Sequence, residues 1–178
     1  MRVAVFGGSF NPPHLGHAMV AAWIRWADRA DAVWLVPTFH HAFDKPLAPF
    51  DQRVSACRVL AEMIGPFVAV SAIEASLPRP SYTINTLRAL QAGSPKSTFQ
   101  LVLGADNLPQ VGAWKEWPVI ETEFTPIVVG RGSSLIEAAP SFPDISSTEV
   151  RRRVAQGLPV DHLVPAAVVA AWQGDKRY

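Results

Sequence analysis

Cysteine is nearly absent: Cys57 is the single one in 178 residues. That excludes an internal disulfide and a cysteine-rich metal site, and its place in the apolar pattern of an expected helix marks it as core filler. Charge is sparse and balanced. Only 17% of residues are charged, 16 basic against 15 acidic, for a net charge of +1. No global field therefore draws the chain to nucleic acid or to an anionic membrane, and any anion it binds must be held by local groups. Long hydrophobic runs are missing too. The longest, Ala166 to Trp172, falls far short of the roughly 20 residues that cross a bilayer. Val3 to Phe6 is too short for the apolar core of a secretory signal and runs straight into glycines, so a cytoplasmic location is expected. Apolar side chains, by contrast, are abundant at 49%, enough for a full core in one domain spanning 1–178 and too many for a disordered chain.

Along the chain, β-rich runs alternate with helical patterns. Strands are expected at Arg2–Phe6, Ala32–Val36, Phe67–Ser71, Thr98–Leu103 and Phe124–Val129. After His14 the pattern turns helical, with Met19, Trp23 and Trp26 on one face and Val20, Ile24 and Ala27 beside them. Further helices are expected from a cap at Asp51 to Ile64, over Thr83–Ala92 behind a cap at Ser81, over Ser147–Gln156 (closed by Gly157), and over Pro165–Gln173. This order predicts an α/β fold with a Rossmann-like, doubly wound parallel sheet of about five strands and a C-terminal helical segment. In such sheets ligands lie beyond the carboxyl ends of the strands, where the strand order reverses. Residues 7–17, 104–106 and the 38–49 loop are expected to converge there.

Directly behind the first strand, Gly7-Gly8-Ser9-Phe10-Asn11-Pro12-Pro13-His14-Leu15-Gly16-His17 is richer in special residues than a turn requires. Gly7 and Gly8 let backbone approach a ligand with no Cβ in the way, and Ser9 with the amides after it can donate to phosphate at the following helix start. His14 and His17, three apart, share a face of the first helical turn. A glycine pair after a strand is a weak signal alone, and a single histidine there is usually a cap; the ordered string is far more specific. It is neither a Walker loop nor Gly-x-Gly-x-x-Gly. A second cluster, Ile145-Ser146-Ser147-Thr148-Glu149-Val150-Arg151, reads first as a helix N-cap. Capping does not require Arg151 one turn in, whereas an anion site would use it.

The full string resembles the nucleotidylyltransferase superfamily and, closely, the bacterial nicotinate-nucleotide adenylyltransferases. The two segments above look like the family's nucleotide-binding signatures, Ser81-Tyr82-Thr83-Ile84-Asn85-Thr86-Leu87 like its substrate-helix motif, and Gly104-Ala105-Asp106 with Trp114 like its nucleoside-and-pyridine segment. Asn11 and Asn85 stand where many members carry aspartate, and His40-His41-Ala42-Phe43-Asp44-Lys45 replaces a Pro-Pro-His-Lys run.

The resemblance implies transfer of AMP from ATP to a pyridine mononucleotide, releasing pyrophosphate. It casts His14, His17 and Arg151 as the catalytic groups, with Arg151 at the β/γ end of the triphosphate. Gly7, Gly8, Ser9, Phe10, Gly104, Asp106, Ser147 and Thr148 would hold ATP, and Lys45, Tyr82, Thr83 and Trp114 the acceptor. Mg²⁺ would arrive on the ATP, with no protein metal site. The partners are then ATP and the mononucleotide, not nucleic acid or a membrane, and a homo-oligomer stays open. Acceptors other than nicotinate mononucleotide, either nicotinamide mononucleotide or phosphopantetheine, are the rival enzyme readings. A nucleotide-binding regulator that has lost turnover is the rival outside catalysis, and the presence of both histidines and Arg151 opposes it.

Overall fold

The computed structural model describes residues 1–40, 46–132 and 140–173. Strands β1 (Arg2–Gly8), β2 (Ala32–Pro37), β3 (Val68–Val70), β4 (Thr98–Gly104), β5 (Ile127–Arg131) and β6 (Ser141–Phe142) form one sheet in the order β3-β2-β1-β4-β5-β6. Every neighbouring pair is parallel. The expected count of about five strands becomes six. The sixth is two residues between Pro140 and Pro143, too short to carry a period-two pattern.

Helices α1 (Leu15–Trp26), α2 (Phe50–Ile64), α3 (Thr83–Gly93), α4 (Trp117–Glu123), α5 (Ser147–Ala155) and α6 (Ala166–Gln173) connect or flank the strands, with short 3₁₀ segments at Ile73–Ser76 and Ala105–Ala113. The sheet is covered on both faces, as an all-parallel sheet requires. Alternate β1 residues bury in opposite directions. Ala4 joins Ile24 of α1 and Cys57 of α2 in one core, while Val3 and Val5 join Ile84 and Leu87 of α3 and Ile120 of α4 in the other. A third cluster seats Val150 of α5 and Val168 of α6 on Ala56 and Leu60 of α2. Full burial of a Val or Leu side chain is worth about 1.5–3 kcal/mol, so this third cluster holds the C-terminal helices against the body of the fold.

Several element ends differ from expectation, each for a packing reason. Pro49 takes the cap position of α2, which leaves Asp51 in the first turn, where a carboxylate meets the positive end of the helix dipole. Tyr82 takes the cap of α3, and the Ser81 hydroxyl instead accepts the His40 N–H. Phe124 ends α4 and is buried in the second core, so β5 starts later, at Ile127. β1 and β4 run on into glycine because ladder partners continue beside them, Val36 and Pro37 for Gly7 and Gly8, Val129 for Gly104. At the end of α5, Gly157 closes the helix with φ +66°, the left-handed geometry glycine adopts at little cost.

The chain builds outward from β1 to β3 and then returns to lay β4 on the other side of β1. Connections leave β1 and β4 toward opposite faces, and a crevice opens between their carboxyl ends.

Candidate active site

That crevice is a cavity of about 520 Å³. Gly7, Gly8, Ser9 and Phe10 form one wall, with His14 and His17 at the start of α1. Ser147 and Thr148 face them from the start of α5. Gly104 ends β4 and Asp106 follows it, and Thr83 and Trp114 also line the cavity. Segments more than a hundred residues apart in sequence thus meet at one strand edge.

The two histidines are arranged by the helix start itself. His14 is the extended residue before α1, with φ −149° and ψ 174°, and is 3% exposed. Its backbone N–H donates to Nδ1 of His17 at 3.1 Å. With Nδ1 accepting, a neutral His17 carries its proton on Nε2 and presents that nitrogen as a donor. The two rings lie 3.8 Å apart at 32°, and Phe10 and Phe6 pack the other sides of His17 at 4.8 and 5.6 Å. Gly16 makes room for the pair: a Cβ there would come within 3.0 Å of Cε1 and Nδ1 of His14. Gly104 has the same relation to Asp106, whose carboxylate a Cβ would strike.

The loop between β1 and α1 is held by its carbonyls. Arg53 Nη1 donates to Ser9 O at 2.8 Å, Arg151 Nη1 to Asn11 O at 2.7 Å, and the Ser147 hydroxyl to Pro12 O at 2.9 Å. Asn11 is 3% exposed, and its Oδ1 accepts both the Ala48 N–H (3.2 Å) and the Trp172 indole N–H (2.9 Å). An amide oxygen thereby does the accepting that a carboxylate could do at this position. Arg151 itself is not a lining residue; its second nitrogen bonds Oγ1 of Thr148, which is, at 3.2 Å. Arg152 and Arg153 point elsewhere and share Glu149 at 2.7 and 2.8 Å, which holds that carboxyl at about 2, far below its ordinary value.

Toward Thr83 and Trp114, Glu74 is 7% exposed, and its oxygens accept from the Phe39 N–H and the Thr86 hydroxyl, both at 2.9 Å. This pins the exit of β2 to α3. Trp114 lines the cavity and packs edge-on against Trp117, whose ring centroid is 6.1 Å away. Tyr82 stands outside the cavity, with Lys115 Nζ 4.9 Å from its ring centroid. Lys45 lies outside the described residues. Cys57 is fully buried, and burial pushes its thiol far above the ordinary range, so it is chemically quiet.

Sequence reasoning missed Arg53, Glu74 and Trp172, and named Thr86 only as one residue of the Ser81–Leu87 motif. Arg53 did leave a trace, as a cation among the buried positions Val54, Ala56, Cys57 and Leu60 of α2. It is 1% exposed, and burial lowers its pKa while Cys57 and Glu74 oppose that.

Comparison with known proteins agrees with this architecture. Residues 5–153 match the cytidylyltransferase-like family. A protein of Anaeromyxobacter sp. (strain K) named "Probable nicotinate-nucleotide adenylyltransferase" is 43% identical over 172 residues, covering 94% of this chain and 91% of its own. A protein of the same name from Myxococcus xanthus is 34% identical over 172 residues, covering 96% and 90%. The solved structure of Plasmodium falciparum nicotinic acid mononucleotide adenylyltransferase complexed with NaAD superposes with a TM-score of 0.81 at 20% identity, over 96% of this chain and 93% of that one.

Proposed function

Because the chain belongs to the cytidylyltransferase-like family and, within it, to the nicotinate-nucleotide adenylyltransferases, we propose that it joins ATP to nicotinate mononucleotide, giving nicotinate adenine dinucleotide and pyrophosphate. The observation that carries this for the site itself is the stacked His14–His17 pair facing the start of α5 across one cavity, which Trp114 and Thr83 also line.

The chemistry asks little of the protein beyond placement. The nucleophile is the 5′-phosphate of the mononucleotide, mostly dianionic near neutral pH because its second pKa is about 6. It attacks the α-phosphorus of ATP in line; the new P–O bond forms as the bond to the β-phosphate oxygen breaks, and pyrophosphate leaves with that electron pair. No general base is needed. Catalysis is positioning together with stabilisation of charge on the α-phosphate and the departing pyrophosphate. In this reading, His17 Nε2–H donates to those oxygens and His14 assists from the adjacent ring. The amides behind Gly7, Gly8 and Ser9 and the start of α5 at Ser147 and Thr148 receive phosphate. Arg151 keeps the Asn11 carbonyl in place and sits one side chain back from the triphosphate. Asp106 accepts from ribose hydroxyls, and Trp114 stacks on the pyridine ring.

Magnesium fits this site as part of the nucleotide. Among the described residues no group of three or more His, Cys, Asp or Glu side chains could hold a metal ion. Mg²⁺ would be held by the phosphate oxygens of ATP and by water, and would supply neutralisation of charge on the leaving group. Among the described residues no helix is long and apolar enough to cross a membrane, and the reading puts the enzyme in the cytoplasm with its ATP supply.

The acid should be favoured over the amide. The first N–H groups of α3, beside Thr83, have no intrahelical partner, whereas the Trp114 N–H already donates to Val111 O at 2.9 Å. Donors suit a carboxylate, which only accepts, whereas a carboxamide would turn its own NH₂ toward one of them. The test is pyrophosphate release from ATP and Mg²⁺ with nicotinate mononucleotide, nicotinamide mononucleotide and phosphopantetheine in parallel. Hydrogen bonds to charged groups contribute about 1.5–3 kcal/mol, so kcat/KM for the acid should exceed that for the amide by roughly 10- to 100-fold. Equal values for acid and amide would refute the acceptor assignment, and no turnover with any acceptor would refute the enzyme reading.

A further inference from the structure

The geometry points to Arg53 as a positioning residue of the nucleotide loop, acting through the Ser9 carbonyl without touching substrate. The inference rests on the adenylyl-transfer reading above.

Arg53 is 1% exposed and heads the fully buried side chains by size. Among the described residues it has no ion-pair partner; its fork is spent on two backbone carbonyls from separate segments, Nε on Ala48 O at 2.9 Å and Nη1 on Ser9 O at 2.8 Å. Glu74 offsets the burial only from beyond ion-pair distance. Burying a cation mainly against carbonyls is costly, and a packing role alone would be met by an apolar side chain of the same length. The position of the charge explains its presence.

Three loop carbonyls are held by side chains, those of Ser9, Asn11 and Pro12. The last two precede Pro12 and Pro13, which have no N–H to aim. Only the Ser9 carbonyl is followed by a residue with an amide hydrogen, Phe10. In a trans peptide the N–H points opposite to the C=O, so fixing Ser9 O on Arg53 directs the Phe10 N–H away from Arg53, and both Ser9 and Phe10 line the cavity. Phe10 itself has φ +44° and is 1% exposed. A left-handed backbone is unfavourable for an aromatic residue and persists only where its surroundings enforce it. The Arg53 bond supplies that enforcement, with a positive charge behind the peptide that faces the triphosphate. Ala48 completes the clamp, because its N–H donates to Asn11 Oδ1 at 3.2 Å while its carbonyl receives Arg53. One guanidinium therefore sets the entry to α2 and the nucleotide loop in register.

Arg53→Lys, Arg53→Met and, as a control on the exposed side of the same helix, Arg58→Met separate this role from packing. Each is measured for Tm alone, for the Tm shift caused by ATP, and for the KM of ATP and of nicotinate mononucleotide. An ammonium can serve one carbonyl well but not two in a planar fork. Arg53→Lys should fold, raise the KM for ATP about 10-fold or more, shrink the ATP-induced Tm shift, and leave the acceptor KM within about twofold. Arg53→Met, where it folds, should exceed that effect; where it does not fold, Arg53→Lys decides. Arg58→Met should match wild type. A wild-type KM for ATP in Arg53→Lys, or both KM values rising together, would overturn the proposal. Absence of turnover in the wild type would count against the functional reading instead, and the ATP-induced Tm shift would still report on Arg53.

Discussion

A methyl group added in Gly16→Ala would stand 3.0 Å from Cε1 and Nδ1 of His14 and 3.5 Å from Cβ of Ile145. The second distance is ordinary contact, so the first decides the outcome. His14 is 3% exposed and stacked 3.8 Å from His17. Its ring must therefore yield by a few tenths of an ångström within a packed pair. A misplacement of about 1 Å in a catalytic group costs on the order of 100-fold in rate, so a few tenths should lower kcat about 3- to 10-fold. Stability should move the other way or not at all, because alanine gains up to about 1 kcal/mol over glycine in a helix, worth about 2–4 °C in Tm for a chain of this size. The assay is steady-state pyrophosphate release alongside thermal unfolding, for Gly16→Ala, His14→Ala and the double variant. Once the His14 ring is removed, the added methyl has nothing to displace, and the double variant should turn over like His14→Ala alone. Additive losses in the double variant, an unchanged kcat in Gly16→Ala, or a kcat that falls only in step with Tm would refute the steric reasoning.

Three further outcomes follow from the same geometry. Gly7→Ala should fold normally, since a Cβ there meets no protein atom within 4 Å, yet raise the KM for ATP, because that space faces the cavity; equal KM values would place ATP elsewhere. Arg151→Lys should cost activity through the Asn11 carbonyl and Thr148 hydroxyl that one fork serves together, while Arg152→Lys and Arg153→Lys, which face Glu149, should not; kinetics of the three variants compare them directly. Glu149 is held at about 2, below its ordinary 4.5, by Arg152 and Arg153. Its stabilisation is thus complete above about pH 4.5 and lost as pH falls through about 2, so the Tm gap between wild type and Glu149→Gln should be present at pH 6 and close toward pH 2.

Much of this site was legible because its parts are local. Strand–helix alternation gave the parallel sheet, and the glycines, prolines and histidines of residues 7–17 pointed to the loop that lines the cavity. The serines before Glu149 marked a helix start, where Ser146 Oγ indeed accepts the Glu149 N–H at 3.2 Å. What stayed hidden depends on distant chain. Trp172 reaches Asn11 across 161 positions and Ser147 reaches Pro12 across 135, contacts that no periodicity encodes. Arg53 sat in a helical pattern as an interruption of its apolar face, and only the fold reveals the two carbonyls that make it fit. Arg151 reads from the sequence as a phosphate clamp one turn into α5, and its bonds to the Asn11 carbonyl and the Thr148 hydroxyl become visible only in the fold.

The central claim is that the His17 Nε2–H donates to the reacting phosphates, and His17→Asn tests it most directly. The asparagine oxygen can replace Nδ1 as acceptor for the His14 N–H, so the helix start survives while the donor at Nε2 is lost. Losing one such preorganised donor costs roughly 100-fold or more in kcat. Pyrophosphate release from ATP and nicotinate mononucleotide should therefore fall by about that factor, at nearly unchanged Tm. A His17→Asn protein that keeps its fold and its wild-type kcat would contradict the account.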